Sequence, residues 1–210
     1  YYNNFIIIKK KHFFLKYFFI DYNTKLAKAL KGFHFIELEK ITKFLEKSIK
    51  AKKRIFVCGN GGSASVANHF LCDFNKGIKQ SSGKKLIPKV VSLNNSIELI
   101  TAISNDINFN KIFEHQLENL SEKNDILLII SCSGKSKNIL NSLKFAKKNK
   151  LKIISFIGFG SNKLIKKASD YHINLNIKNY GITEDIFQSM MHMISQYIRV
   201  KNSRLKSEIY

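Results

Sequence analysis

The chain has 210 residues, 44% of them apolar, which supplies one well-filled core, is short for two, and excludes a disordered or fibrous protein. No apolar run reaches the ~20 residues of a membrane-spanning helix, so no membrane partner is expected. The net charge of +21 comes from lysine scattered through every segment, with arginine only at 54, 199 and 204; this describes a solvated basic surface rather than a reader of nucleic-acid bases.

Near the start, Phe13, Phe14, Phe18, Phe19 and Ile20 are interrupted by Lys9, Lys10, Lys11 and Lys16, and no small-residue cleavage site follows. That is the pattern of a cytoplasmic chain, not of a secretory leader. Between Asn23 and Lys50 the residues Leu26, Leu30, Phe33, Ile36, Leu38, Ile41, Leu45 and Ile49 recur at three and four, which predicts amphipathic helices. We expect residues 1–50 to be a helical segment whose apolar stripes cover the protein's own sheet or pair with another subunit.

From Arg54 onward, strands and helices alternate. Strands are expected at Ile55–Cys58, Pro88–Leu93, Asp125–Ser131, Lys152–Ile157 and His172–Leu175, with helical spacing between them, as in Ile139, Leu143, Phe145 and Ala146. Runs such as Ile126-Leu127-Leu128-Ile129-Ile130 suit strands buried on both faces, so residues 51–200 read as an α/β domain built on a parallel sheet. The last helix is expected from Thr183 to Val200, with Thr183 as its cap, Glu184 and Asp185 in its first turn, and Ile186, Met190, Met191, Ile194 and Ile198 on its apolar side. A polar tail, 201–210, follows. Cys58, Cys72 and Cys132 show no paired spacing and are expected to be buried, reduced thiols.

Two turns stand out. After the first strand, Asn60-Gly61-Gly62-Ser63 precedes a helix, and glycine backbone there can approach an anion that the helix N-terminus attracts. After the third strand, Ser131-Cys132-Ser133-Gly134-Lys135-Ser136 brings three hydroxyls to another helix start near Asn138. Ligands of open parallel sheets bind at the carboxyl ends of the strands, where both turns lie.

These loops, with Asn68-His69-Phe70, Asp73, Thr101 to Asp106, Glu184 and His192, resemble the SIS (sugar isomerase) domain, and among SIS proteins the phosphoheptose isomerases. The resemblance runs from about Leu26 to Val200. It implies a flavodoxin-like three-layer sandwich with a five-stranded parallel sheet. It also implies conversion of sedoheptulose 7-phosphate into the heptose 7-phosphate through a cis-enediol, for surface polysaccharide synthesis. By the same resemblance Asp73 and His192 transfer protons, and His69, Asp73, Glu184 and His192 hold zinc. Asn60, Gly61, Gly62, Ser63, Asn105, Asp106, Ser131, Cys132, Ser133 and Ser136 bind the phosphorylated sugar. A homotetramer with active sites at its subunit interfaces is expected.

The helical spacing agrees with this. His69 and Asp73 are four apart on one helix, Glu184 and His192 eight apart on another, so each pair shares a face. The chain departs from the family pattern at Asp73, where the family has Glu, at Glu184, where it has Gln, and at Gly77, where it has a substrate-binding Arg. These departures keep a second reading in view, a non-catalytic SIS module that binds a sugar phosphate or a protein partner.

Overall fold

A computed structural model describes residues 15–32, 34–160 and 163–203. Phe13, Phe14, Phe33 and most of the expected tail lie outside the described residues. The chain divides into two compact units, 1–33 and 34–210. In the first, helix α1 (Leu15–Lys31) carries Leu15, Tyr17, Phe19 and Ile20 exposed, and none of its residues is buried.

The second unit begins with helix α2 (Phe35–Lys50). This helix belongs with the sheet rather than with α1, because its stripe of Leu38, Ile41, Leu45 and Ile49 is buried and Phe44 packs on Tyr171. Ile36, counted in that stripe by its spacing, is exposed in the first turn.

All five expected strands form, each within one residue of its predicted ends. They are β1 (Arg54–Cys58), β2 (Lys89–Ser92), β3 (Ile126–Ser131), β4 (Lys152–Ile157) and β5 (Tyr171–Asn174). The sheet is parallel throughout, in the order β2-β1-β3-β4-β5. Every residue of the central strand β3 is buried, as its unbroken apolar run requires. The order reverses between β1 and β3, which opens a crevice at their carboxyl ends.

Helices complete the layers: α3 (Gly62–Cys72), α4 (Lys79–Ser81), α5 (Ile97–Asp106), α6 (Ile112–Leu120), α7 (Lys137–Lys148), α8 (Lys163–Ala168) and α9 (Tyr180–Asn202). Strand alternation sends Phe56, Cys58, Leu127 and Ile129 into a core with Phe113, Leu117, Ile139 and Leu143. On the opposite face Phe156 meets Phe187 of α9. Between α3 and α4 the helix widens into a π-helical turn, Asp73–Ile78, a rare form often found at functional sites.

Helix α9 starts three residues before the expected Thr183. Asn179 caps it, accepting a hydrogen bond from the Ile182 N–H, while the Thr183 hydroxyl donates to the Ile177 carbonyl. Glu184 and Asp185 therefore lie beyond the first turn. Cys58 and Cys132 are buried as expected, but Cys72 is exposed on the outer side of α3.

Glu46 of α2 is buried and receives hydrogen bonds from Lys50, Lys201 and Asn202, tying α2 to the end of α9. Burial pushes its carboxyl up, but the bonds from Lys201, Lys50 and Asn202 outweigh that and hold it at about 2, below the ordinary 4.5. A depressed carboxyl contributes stability that is present above pH 4.5 and lost as pH falls toward 2. Replacing Glu46 by Gln is expected to cost about 2 kcal/mol at neutral pH, with most of the difference gone near pH 2, as thermal unfolding at both pH values will measure.

Candidate active site

The turn after β1 is shaped by glycine. Gly61 sits at φ +57°, a conformation that L side chains seldom adopt, and a Cβ on Gly59 would lie 2.7 Å from the Ser63 carbonyl. A Cβ on Gly62 would collide with the carboxylate of Glu184. Asn94, after β2, braces the turn by exchanging hydrogen bonds with the backbone of Gly59, at 3.1 and 2.8 Å.

The turn after β3 is organised by its own hydroxyls. Ser131 Oγ accepts the Gly134 N–H at 3.0 Å and Ser133 Oγ accepts the Lys135 N–H at 3.3 Å. Each hydroxyl keeps its proton to donate to an anion. Helix α7 starts at Lys137 on Ser136, one residue earlier than expected, and Gly134 takes φ +63°. Gly160 must be glycine here, since a Cβ would strike the Ser133 carbonyl oxygen.

The two loops are joined side by side. Asn60 and Asn138 exchange two amide hydrogen bonds, at 3.0 and 2.9 Å, so the glycine-rich turn and the first turn of α7 hold a common position. Cys132 Sγ lies 3.9 Å from Ser63 Oγ and 3.7 Å from Glu184 Oε1. Burial, reinforced by the Glu184 charge, pushes the Cys132 thiol up to about 11. It stays protonated at neutral pH and serves as a donor to Glu184, not as a nucleophile.

Below the loops α3 and α9 lie against each other. His69, Asp73 and His192 each direct a donor atom into one space, all within 4.8 Å of one another; among the described residues they are the one group of this kind. His69 Nε2 is 3.5 Å from Asp73 Oδ1 and 3.5 Å from His192 Nε2, with the imidazoles nearly perpendicular. His192 Nε2 is 3.9 Å from Asp73 Oδ2.

Thus three of the four expected ligands meet. Glu184 does not join them; it is drawn to Gly62 and Cys132, two turns nearer the start of α9. The amide of Gln188 bridges the two imidazoles, its Nε2 3.0 Å from His192 Nε2 and 3.0 Å from His69 Nδ1, the ring nitrogen other than the one that faces Asp73. Ser195 donates to Asp73 Oδ2 at 3.1 Å, orienting the carboxylate in the way that outer partners orient metal ligands. Neither Gln188 nor Ser195 was found from the sequence. The signal for both is the spacing from His192, four residues before and three after, which places them on the same face of α9.

Asn105 and Asp106 end α5, exposed and hydrogen-bonded to each other at 2.9 Å. At Gly77 the side chain of Arg199 passes over the backbone, its Cδ 3.5 Å from where a Cβ would stand, and its Nε donates to Ser81. Both ends of the π-helical turn are thereby engaged by α9, Asp73 through Ser195 and Gly77 through Arg199.

The five-stranded parallel sheet, with a glycine-rich and a serine-rich turn at its switch point, has the α/β architecture of SIS domains. The SIS domain model matches residues 19–158. The phosphoheptose isomerase of Helicobacter pylori is 33% identical over 180 residues, 86% of this chain and 91% of its own. That of Thermodesulfovibrio yellowstonii is 35% identical over 161 residues, 77% of this chain and 78% of its own. The phosphoheptose isomerase structure from Neisseria gonorrhoeae shares the fold, with a TM-score of 0.78, 22% identity, and coverage of 88% of this chain and 98% of that one. The chain belongs to the phosphoheptose isomerase family of SIS-domain proteins.

The Asn60–Asn138 amide pair is the joint on which the two loops depend. Asn138→Ala leaves the Asn60 amide without its partner, and is expected to weaken sugar-phosphate binding about tenfold while lowering stability by about 1–2 kcal/mol. Calorimetric titration with a sugar phosphate, beside thermal unfolding, checks both figures.

Proposed function

We propose that this protein is an aldose–ketose isomerase that interconverts sedoheptulose 7-phosphate and D-glycero-D-manno-heptose 7-phosphate. The observation that carries this reading is the convergence of His69, Asp73 and His192 beneath two joined anion loops. The family membership supplies the substrate class.

In this reading the terminal phosphate lies against Ser131, Ser133 and Ser136, held by hydroxyl donors and the N-terminus of α7. The sugar chain runs past Asn60, Gly61, Gly62 and Ser63 toward the helix that these residues begin, and that helix carries His69 and Asp73. Asn105 and Asp106 complete the substrate contacts.

Two imidazoles and a carboxylate with converging donor atoms suit a divalent ion, and the nitrogen donors favour zinc. His69, Asp73 and His192 would hold it, and it would act as a Lewis acid on the substrate's oxygens. Asp73 removes the proton from C1 of the ketose and, after its carboxyl has exchanged with solvent, delivers a proton to C2, so the reaction passes through a cis-enediol. His192 moves the matching proton between the oxygens on C1 and C2. One C–H bond breaks and another forms, so the interconversion needs no external oxidant or reductant. Asp is one methylene shorter than the family's Glu; the bond from Ser195 fixes the direction of that shorter side chain.

Purified protein supplied with zinc is expected to convert sedoheptulose 7-phosphate, and Asp73→Asn or His192→Ala to reduce turnover by about 10²–10⁴. Conversion assays across five-, six- and seven-carbon ketose phosphates check this. No conversion of any of them by the zinc-supplied wild type would favour a binding module.

We also propose a homotetramer with shared active sites. Supporting it are Leu15, Tyr17, Phe19 and Ile20 exposed on α1, and Phe35, Ile36 and Tyr197 exposed on α2 and α9. Phe35, Leu38, Met193 and Tyr197 line an open apolar groove in which a second copy could pack. Light scattering is expected to give four times the chain mass of 24.2 kDa, and a Phe35→Lys, Tyr197→Lys variant to shift it downward. Among the described residues no helix is long and apolar enough to cross a membrane, in keeping with a cytoplasmic enzyme of surface-polysaccharide synthesis.

A further inference from the structure

We propose that the outward faces of α7 and α8 form a docking surface for an anionic lipid bilayer. The proposal is independent of the catalytic reading.

Lysine is spread over the whole chain, but acid is not. Asp125 and Asp170 bracket residues 126–169, a stretch with ten lysines and no aspartate, glutamate or arginine, which therefore contributes +10 of the chain's +21. All ten lysines are exposed, and among the described residues only Lys152, 3.0 Å from Asp170, has a carboxylate partner. Helix α2 shows the contrast, since it pairs Lys40, Lys43 and Lys50 with its own glutamates.

Helical periodicity gathers these charges. Lys137, Lys144, Lys147 and Lys148 of α7 fall within an arc of about 100° around the helix axis. The buried Ile139, Leu143 and Ala146 occupy the opposite side. In α8, Lys163, Lys166 and Lys167 likewise oppose the buried Ile165. The buried residues of both helices belong to one core on one face of the sheet, so both lysine stripes point away from that face. Helix α6, on the other side of α7, carries Glu114 and Glu118 and bounds the patch.

The chemistry of this face favours lipid headgroups over nucleic acid. Its cations are all lysine, point charges that any anionic surface attracts, whereas arginine, which forks onto phosphates and base edges, is missing from it. Tyrosine, histidine and tryptophan, on which bases stack, are also missing from residues 126–169, and Phe145 packs against the core. Between the lysines stands Leu164, 48% exposed, an apolar side chain suited to the headgroup boundary. A lysine cluster on an amphipathic helix is the pattern that an anionic leaflet attracts. Charge holds a protein on a bilayer without any helix crossing it, so the lack of an apolar span among the described residues bears on insertion alone. The apolar groove on α2 and α9 lies away from these helices, with α9 on the opposite face of the sheet, so self-association there leaves the lysines outward.

Flotation of the full chain with vesicles of equal parts phosphatidylglycerol and phosphatidylcholine tests this. Binding is expected at about 0.1 M salt and is lost at about 0.5 M, where screening shortens the reach of each charge. Vesicles of pure phosphatidylcholine are expected not to bind. Each lysine near an anionic surface is worth about fivefold, so the triple variant Lys144→Gln, Lys147→Gln, Lys148→Gln is expected to bind about a hundredfold more weakly. The variant Lys163→Gln, Lys166→Gln, Lys167→Gln is expected to weaken binding in the same way and decides the matter should the first fail to fold. Removing three charges at the exposed Lys85, Lys89 and Lys178 is expected to change binding by less than about threefold. No flotation with the anionic vesicles, or an equal loss in that control variant, would overturn the proposal. Mixed-sequence RNA that binds through the α7 lysines more tightly than the vesicles do would overturn it too, because the occupant would then be nucleic acid.

Discussion

The contact between α9 and the α3 segment is the constraint on which the site depends. Ile186, Phe187, Met190, Met191 and Ile194 are buried along α9, and Phe70 and Phe74 stack at 4.0 Å on the facing segment. Burying each of these side chains is worth on the order of 1.5–3 kcal/mol, far more than any single polar contact nearby. The histidines meet because the apolar faces meet: Gln188 and His192 emerge at the edge of one stripe, His69 and Asp73 at the edge of the other. The polar cluster is thus placed by hydrophobic packing and refined by hydrogen bonds from Ser195 and Gln188.

The sheet supplies the second half of the site by a different route. Parallel strands end at one edge, and the reversal of order between β1 and β3 leaves their turns adjacent. Asn60 and Asn138, 78 residues apart in the chain, close that gap with a reciprocal amide pair that holds the two loops together. Arg54, at the opposite end of β1, pairs with Asp125 before β3 and secures the same two strands from below. The sheet is clamped at both ends of its central pair.

Much of this was legible in the residues. Unbroken apolar runs marked the buried strands, Gly61-Gly62 and Ser131 to Ser136 marked the turns, and the four-residue spacing of His69 and Asp73 gave one face of the cluster. What escaped was whatever depends on how two helices are rotated against each other. Spacing alone placed Glu184 and His192 on one side of α9, but the helix begins at Tyr180, and its packing turns Glu184 toward Gly62. Gln188 and Ser195 are ordinary polar residues in an amphipathic helix until the partner helix is known. The π-helical turn at Asp73 likewise has no local signature, since Asp-Phe-Asn-Lys-Gly-Ile contains nothing that an α-helix forbids except the modest cost of Gly77.

The most direct test of the central claim, that Asp73 and its histidine partners carry out enediol proton transfer, is the isomerisation of sedoheptulose 7-phosphate in deuterium oxide, followed by proton NMR. The account predicts conversion by the zinc-loaded protein with solvent deuterium entering C2 of the product heptose, and loss of both conversion and exchange in Asp73→Asn. Conversion that persists undiminished in Asp73→Asn, or a zinc-loaded wild type that neither converts the ketose nor exchanges its carbon-bound protons, would contradict it.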